Sequence, residues 1–201
     1  MESQLISMLS KNELEIMSSF FPLLEEKSAK DIEIAVKLSH EPVFRTLKLL
    51  AEKGHLKLRK AGRTNLYSFV LAEDSYLVFT YHMTKRMQSF KNSNSLLFKR
   101  IQEFSGLSKC ESVILFGSYA KGEQARLSDV DLLCVGCPQD VEKIARAFRT
   151  KYNISISPIA MKRDDFRKIR DENPAFYREM ISFGIVLLGL EFFFREVYEK
   201  S

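Results

Sequence analysis

Residues 112–135, SVILFGSYAKGEQARLSDVDLLCV, constrain the fold more than any other stretch. One apolar run stops at Gly117-Ser118, a polar stretch follows, and a second apolar run opens on Asp129 and Asp131. Each run has the length and aliphatic content of a buried strand, so residues 112–117 and 129–135 are expected as strands, with a loop and short helix between them. Residues two apart on a strand share a face, which puts both carboxylates on one side while Val130 and Leu132 point to the other. Such a pair beside apolar neighbours is costly without a cation. Hard oxygen donors suit Mg²⁺ or Mn²⁺, which keep waters and accept substrate phosphate oxygens as further ligands. A Gly-Ser turn lets backbone N–H groups and a hydroxyl approach phosphates closely, and a helix starting near Tyr119 adds its positive end.

Strand and helix alternate from there to the C-terminus. A helix is expected over 139–152, with Val141, Ile144, Ala145 and Phe148 on one face, then a strand over 153–161. Helices over 165–170 and 173–183, a short strand over 185–188 and a terminal helix over 190–200 complete a small mixed or parallel sheet with helices against it. Asp164 and Asp165 precede a helical run, where capping is the expected role.

An apolar strand ending in Gly-Ser, ten intervening residues and then Asp-x-Asp resembles the nucleotidyltransferase superfamily that includes DNA polymerase β, in its minimal form, over roughly residues 110–190. The resemblance implies that Gly117 and Ser118 bind the β- and γ-phosphates of a nucleoside triphosphate, with Lys121 and Arg126 as further cations. It implies two metal ions on Asp129 and Asp131, the catalytic pair. One would lower the pKa of an attacking hydroxyl and the other neutralise the leaving pyrophosphate. The family places a third carboxylate on a later strand. Here the equivalent strand offers Ser155 and Ser157 instead.

The N-terminal part has another character. Ser10 and Glu13 form a capping box, Ser28 and Asp31 repeat it, and Ser39 opens a third helix, 39–53, that Gly54 stops. The period then changes from helical to alternating. Residues 55–70 read as a β-hairpin turning at 60–63, with Leu66, Ser68 and Val70 on one face and Tyr67 and Phe69 on the other. Three helices and a basic hairpin resemble a winged helix-turn-helix domain, with Leu50, Lys53, Gly54 and Leu56 matching "L-x-x-K/R-G-x-L" before a basic wing. The resemblance implies double-stranded DNA as partner. Arg45 and Lys48 would face the major groove, and Lys57, Arg59, Lys60 and Arg63 would hold the backbone. Protein docking is the competing use of such a domain, and Phe44 adds an apolar residue near the outward face.

The fold class expected is therefore a two-domain α+β chain. Residues 1–71 form an all-α-plus-wing winged helix-turn-helix domain. Residues 72–109 form a helical linker or dimerisation segment. Residues 110–201 form an α/β nucleotidyltransferase domain with a small mixed sheet. Tyr76, Phe79, Met83 and Met87 make a stripe in the middle segment that reads as a packing seam, and paired DNA half-sites favour a homodimer.

Charge agrees with this division. The net +5 lies wholly in residues 1–109, because residues 110–201 carry 14 basic and 14 acidic side chains. The longest apolar stretch, 181–190, is short of the ~20 residues a membrane helix needs. No signal segment is evident, so a cytoplasmic location with no membrane partner is expected. Three cysteines, with one isolated C-x-x-C at Cys134 and Cys137, speak against a disulfide framework, and Cys134 reads as a buried thiol. Two functions fit. One is Mg-dependent transfer of a nucleoside monophosphate from NTP to an acceptor hydroxyl, with a protein side chain among the acceptors that fit, coupled to a DNA-binding domain. The other is a transcriptional regulator whose degenerate nucleotidyltransferase domain senses nucleotide.

Overall fold

The computed structural model describes residues 9–125 and 128–199. The chain divides into two compact units, Met1–His82 and Met83–Ser201. The division falls inside one long helix, within the segment read as a linker.

The first unit opens with α1 (Lys11–Ser18), whose Ser10–Glu13 capping box forms as expected. Strand β1 (Lys27–Ser28) leads into α2 (Ala29–Val36), where Ser28 and Asp31 form the second box. Helix α3 (His40–Glu52) follows. Ser39 occupies its N-cap position but makes no side-chain hydrogen bond there. Strands β2 (Leu56–Ala61) and β3 (Thr64–Phe69) pair antiparallel, and β1 adds to β3, giving the order β1-β3-β2. Ala61 pairs with Thr64, so the turn is the two-residue Gly62-Arg63, with Gly62 at φ +61°, rather than the four residues 60–63. Tyr67 and Phe69 supply the buried face of β3; Phe69 meets the rings of Phe20 and Phe21, and Ile16, Ile32, Leu47 and Leu50 are buried in the same unit. Leu58 departs from simple alternation and is exposed. Strand β1 was not legible in the sequence, since two residues carry no periodicity.

Helix α4 (Ser75–Ser93) runs three residues further than the polar cluster 91–95 suggests. Gln88 donates to Asn92 one turn on, at 2.8 Å, and the break comes at Asn94, whose amide donates to the Phe90 carbonyl. Phe79 and Met83 of the expected seam are buried by the chain itself, and Met87 packs on the second unit's core, so this stripe requires no second copy.

The second unit continues with α5 (Ser95–Ser108), β4 (Ser112–Leu115), α6 (Gly117–Lys121), β5 (Val130–Val135), α7 (Val141–Tyr152), β6 (Ile156–Met161), α8 (Arg163–Glu172), α9 (Pro174–Phe183) and β7 (Ile185–Leu188). Helix α10 (Leu190–Phe194) and a π-helical turn over Arg195–Glu199 follow. The sheet is mixed, in the order β6-β5-β4-β7, with β5 and β6 parallel and the other pairs antiparallel. All four residues of β4 are buried, with Leu132, Cys134, Phe104 and Phe148 around them. Asp140 caps α7 by accepting from the Lys143 N–H at 2.9 Å. Lys162, not an aspartate, occupies the N-cap of α8; Asp164 and Asp165 lie in its first turn, where the helix dipole favours them.

The cysteines correct the sequence reading. Cys110 and Cys137 are joined by a disulfide, leaving Cys134 buried and free. Sequence spacing could not show this. The ladder pairs Ser112 with Val135, so two residues beyond each strand end Cys110 comes opposite Cys137. Burial pushes the Cys134 thiol up to about 12, consistent with a packing role. Among the described residues no helix is long and apolar enough to cross a membrane.

Candidate active site

The site lies where β4 ends and β5 begins. Pairing Leu115 with Leu132 brings the first chain segment out at Phe116, whose N–H donates to the Asp131 carbonyl at 3.1 Å. Phe116 is anchored from the other side by an edge contact with Phe176 of α9, ring centres 5.3 Å apart. Gly117 then turns the chain at φ +67° into α6. A Cβ on Gly117 would lie 2.2 Å from Oδ2 of Asp131, so the absence of a side chain is what admits the carboxylate. Gly117 and Asp131, from the two sides of the loop, are thus in direct contact.

Asp131 is the second residue of β5 and half-buried. Asp129 just precedes the strand and is exposed, where the sequence reading had both within it. Burial, with the like charges of Asp129 and Glu179, raises the Asp131 carboxyl above its ordinary value. Neither side chain takes a hydrogen bond or ion pair from any described residue. Two hard-oxygen donors that repel each other, one of them partly desolvated, with no cation on them among the described residues, fit a divalent metal such as Mg²⁺ or Mn²⁺.

Lys121 occupies the last turn of α6, but its ammonium pairs with Glu179 of α9 at 2.7 Å and lies over the Phe183 ring. The Glu179 hydrogen bond holds the Lys121 ammonium above its usual range. Ser118 is the second residue of α6, next to the aspartate-bearing turn. Arg126 lies outside the described residues.

The third carboxylate is not found where the family pattern puts it. Ser157 of β6 pairs with Asp131, and the Ser155 carbonyl accepts from Val130. Among the described residues, no third Asp, Glu, His or Cys completes a group with Asp129 and Asp131 whose donor atoms all lie within 4.8 Å of one another. Glu111, Asp164 and Asp165 stand at the opposite end of the sheet. The Glu111 N–H donates to Val135 and its carboxylate pairs with Arg163 at 3.1 Å, while Asp164 pairs with Arg167. The acid whose charge does reach Asp131 is Glu179, from a helix late in the chain. No spacing in the sequence signals it.

Cavities lie on two sides of Tyr119. One, about 350 Å³, is lined by Lys121, Gly122, Gln124, Arg86 and Tyr119. Another, about 620 Å³, is lined by Asp129, Tyr119, Leu96, Arg149, Asn153 and Ser155 among others. A third, about 370 Å³, shares Asp129, Arg149 and Ser155 with the second. Arg149 was not singled out by the sequence reading.

In the first unit the expected DNA-facing cations are all exposed. Arg45 and Lys48 make only loose pairs with Glu41 and Glu52, at 3.7 and 3.9 Å. Lys57, Lys60 and Arg63 have no ion-pair partner among the described residues. Arg59 differs: its guanidinium grips Glu26 through two nitrogens, and Ser68 donates to the same carboxylate. That pairing holds Glu26 below the usual carboxylate range.

Comparison with known proteins agrees with the geometry. Residues 99–191 match the family described as Polymerase beta, Nucleotidyltransferase. Three proteins of Methanocaldococcus jannaschii, each provisionally named a protein adenylyltransferase, are similar to the chain. One is 33% identical over 100 residues, covering 44% of this chain and 95% of its own length. The others are 45% identical over 62 residues and 37% identical over 51, covering 27% and 25% of this chain. The chain spans 63% and 59% of the lengths of those two relatives. No solved structure matches. The chain belongs to the polymerase beta nucleotidyltransferase family.

Proposed function

We propose that the second unit transfers a nucleoside monophosphate, with AMP from ATP as the first choice, to a hydroxyl on a protein acceptor. The observation that carries this reading is the seating of Asp131 on the bare Cα of Gly117, which joins a phosphate-approachable turn to a carboxylate pair fit for a metal. The adenylyltransferase names of the relatives favour ATP and a protein acceptor. A divalent cation on Asp129 and Asp131 would supply charge neutralisation on the transferring and leaving phosphates. Gly117 and Ser118 would bind the β- and γ-phosphates, and Lys121 would turn from Glu179 toward them. The acceptor oxygen bonds to the α-phosphorus as the bond to the bridging oxygen breaks. Pyrophosphate leaves, and the hydroxyl proton passes to water.

The test is ATP labelled at the α- or the γ-phosphate, incubated with the full-length protein, Mg²⁺ or Mn²⁺, and a lysate of the source organism. Label from the α position alone is expected on a protein band. Label from the γ position, or none with any NTP and either metal, overturns the reading.

We infer that the first unit is a winged helix-turn-helix domain that binds double-stranded DNA. Its order of helix, short strand, two helices and hairpin supports this, as do Lys57, Lys60 and Arg63 on the hairpin, which have no ion-pair partner among the described residues. Each phosphate contact removed by Lys60→Ala or Arg63→Ala should lower the salt dependence of binding by ~0.9 in log–log slope. Arg59→Ala should change that slope less, because Glu26 already neutralises this cation. Equal insensitivity to all three substitutions in a salt titration would overturn the wing assignment.

The second reading, a nucleotide-sensing regulator with little turnover, is favoured by the serines in place of a third carboxylate on β6. Under it, an unhydrolysed ATP analogue with Mg²⁺ shifts DNA affinity while α-label stays on ATP. The homodimer expected from paired half-sites belongs to the same reading, and sedimentation of the free protein decides it.

A further inference from the structure

Asp129 lines two cavities, and Arg149 of α7 lines both of them with it. Arg149 makes no ion pair with any described residue, although its neighbour Arg146 is drawn to Asp140 and Glu142 on the same helix. The 350 Å³ cavity, with Lys121 and Gly122, contains neither Asp129 nor Arg149. Tyr119 and Asn94 line it and the 620 Å³ cavity alike, so the two meet at these residues. With a triphosphate on the Gly117 side, the Asp129 side is where a second substrate would approach. A size of this order is ordinary for a binding pocket.

We propose that the 620 Å³ cavity receives the acceptor and that Arg149 binds an acidic side chain flanking the acceptor hydroxyl on a protein segment. This rests on the transferase reading above and extends it from a protein hydroxyl to an acid-flanked serine, threonine or tyrosine. The hydroxyl enters beside Asp129, attacks the α-phosphorus and displaces pyrophosphate, its proton passing to water. The flanking carboxylate meets Arg149. The lining favours a peptide over a nucleic-acid end. Leu96, Leu97, Val130 and Ile154 offer apolar contact, and Leu96 is 65% exposed. Among the described residues Tyr119 is the one lining ring and Arg149 the one lining cation, whereas a strand of nucleotides calls for several of each.

The test uses the full-length protein with Mn²⁺ and α-labelled ATP on short peptides. Each peptide carries one central Ser, Thr or Tyr flanked by acidic, basic or neutral residues. Fluorescent versions are read by anisotropy with an unhydrolysable ATP analogue. Acidic flanks are expected to raise both binding and labelling about tenfold over neutral ones. Arg149→Glu should invert the order toward lysine-flanked peptides, while Lys143→Glu, the same charge reversal on α7 but outside both cavities, should leave it unchanged. Equal treatment of all peptides by the wild-type protein, or an order that Arg149→Glu does not alter, overturns the inference and leaves protein adenylylation standing. Labelling of an oligonucleotide 3′ end instead of peptides overturns the choice of acceptor. Flat anisotropy with no transfer to any peptide, oligonucleotide or lysate protein removes the transferase reading and this inference with it.

Discussion

Asp131→Asn is expected to abolish nucleotidyl transfer while making the metal-free protein more stable. The two effects have one cause. In the fold the carboxylate is partly desolvated and faces the charges of Asp129 and Glu179, all of which disfavour its ionised form. Asparagine has nearly the same shape, keeps the contact with Gly117 and carries no charge. At neutral pH the variant therefore escapes a cost that the wild-type protein bears. The sign in pH follows. A carboxyl whose folded pKa is raised binds a proton more readily folded than unfolded, so the wild type gains stability as pH falls through the folded value. The gain is complete below the ordinary aspartate value, near ~3.9. The advantage of the variant should thus be largest at neutral pH and should shrink on acidification. Added Mn²⁺ reverses the order. A ligand at ~100 times its dissociation constant stabilises by ~2.7 kcal/mol, and only the wild type retains both donors. Transfer should fall by about 10³-fold or more, the scale of losing preorganised charge stabilisation at a reacting centre. Thermal melts at several pH values, with and without Mn²⁺, check the stability half. An Asp131→Asn protein less stable than wild type at neutral pH without metal would show that the carboxylate has a partner in the fold, and the metal assignment would lose its ground.

How far such a site can be read from sequence depends on which contacts are local. Gly117, Ser118, Asp129 and Asp131 were legible because strand periodicity and a fixed loop length bring them together, and β4 and β5 pair as that reasoning requires. Both capping boxes were legible for the same reason, each being a contact between residues three apart. Glu179 and Arg149 were not, because α9 and α7 reach the site through the packing of helices on the sheet, and no motif records that packing. The grip of Glu26 on Arg59 spans 33 residues, so a hairpin that reads as uniformly basic holds one cation already neutralised. The Cys110–Cys137 bridge was misjudged from a count, when what decides it is the register of a ladder. Lys91, Asn92 and Ser93 look like a break in the sequence, yet α4 runs through them, and a Gln88–Asn92 side-chain pair supports it there.

Gly117→Ala should be the most damaging single methyl group at the candidate site. Two separate penalties meet there. The backbone is at φ +67°, a conformation that costs a residue with a side chain ~1–3 kcal/mol. The new Cβ would also stand 2.2 Å from Oδ2 and 3.1 Å from Cγ of Asp131, so the carboxylate must leave its position or the turn must open. Gly122→Ala separates the two. Gly122 closes the same short helix at φ +76° but has nothing within 4 Å of its Cβ position, so it carries the backbone penalty alone. Both variants should lose stability in denaturant unfolding, Gly117→Ala by more. Their metal affinities should part company. Gly122→Ala should bind Mn²⁺ about as the wild type does, and Gly117→Ala should lose at least tenfold, because it displaces a donor rather than merely straining a turn. Equal Mn²⁺ affinities for the two would mean that Asp131 binds metal from some other position, and the contact between glycine and carboxylate would be packing rather than the hinge of the site. A loss confined to Gly117→Ala would tie the glycine of the first strand's end to the aspartate of the second as one functional unit.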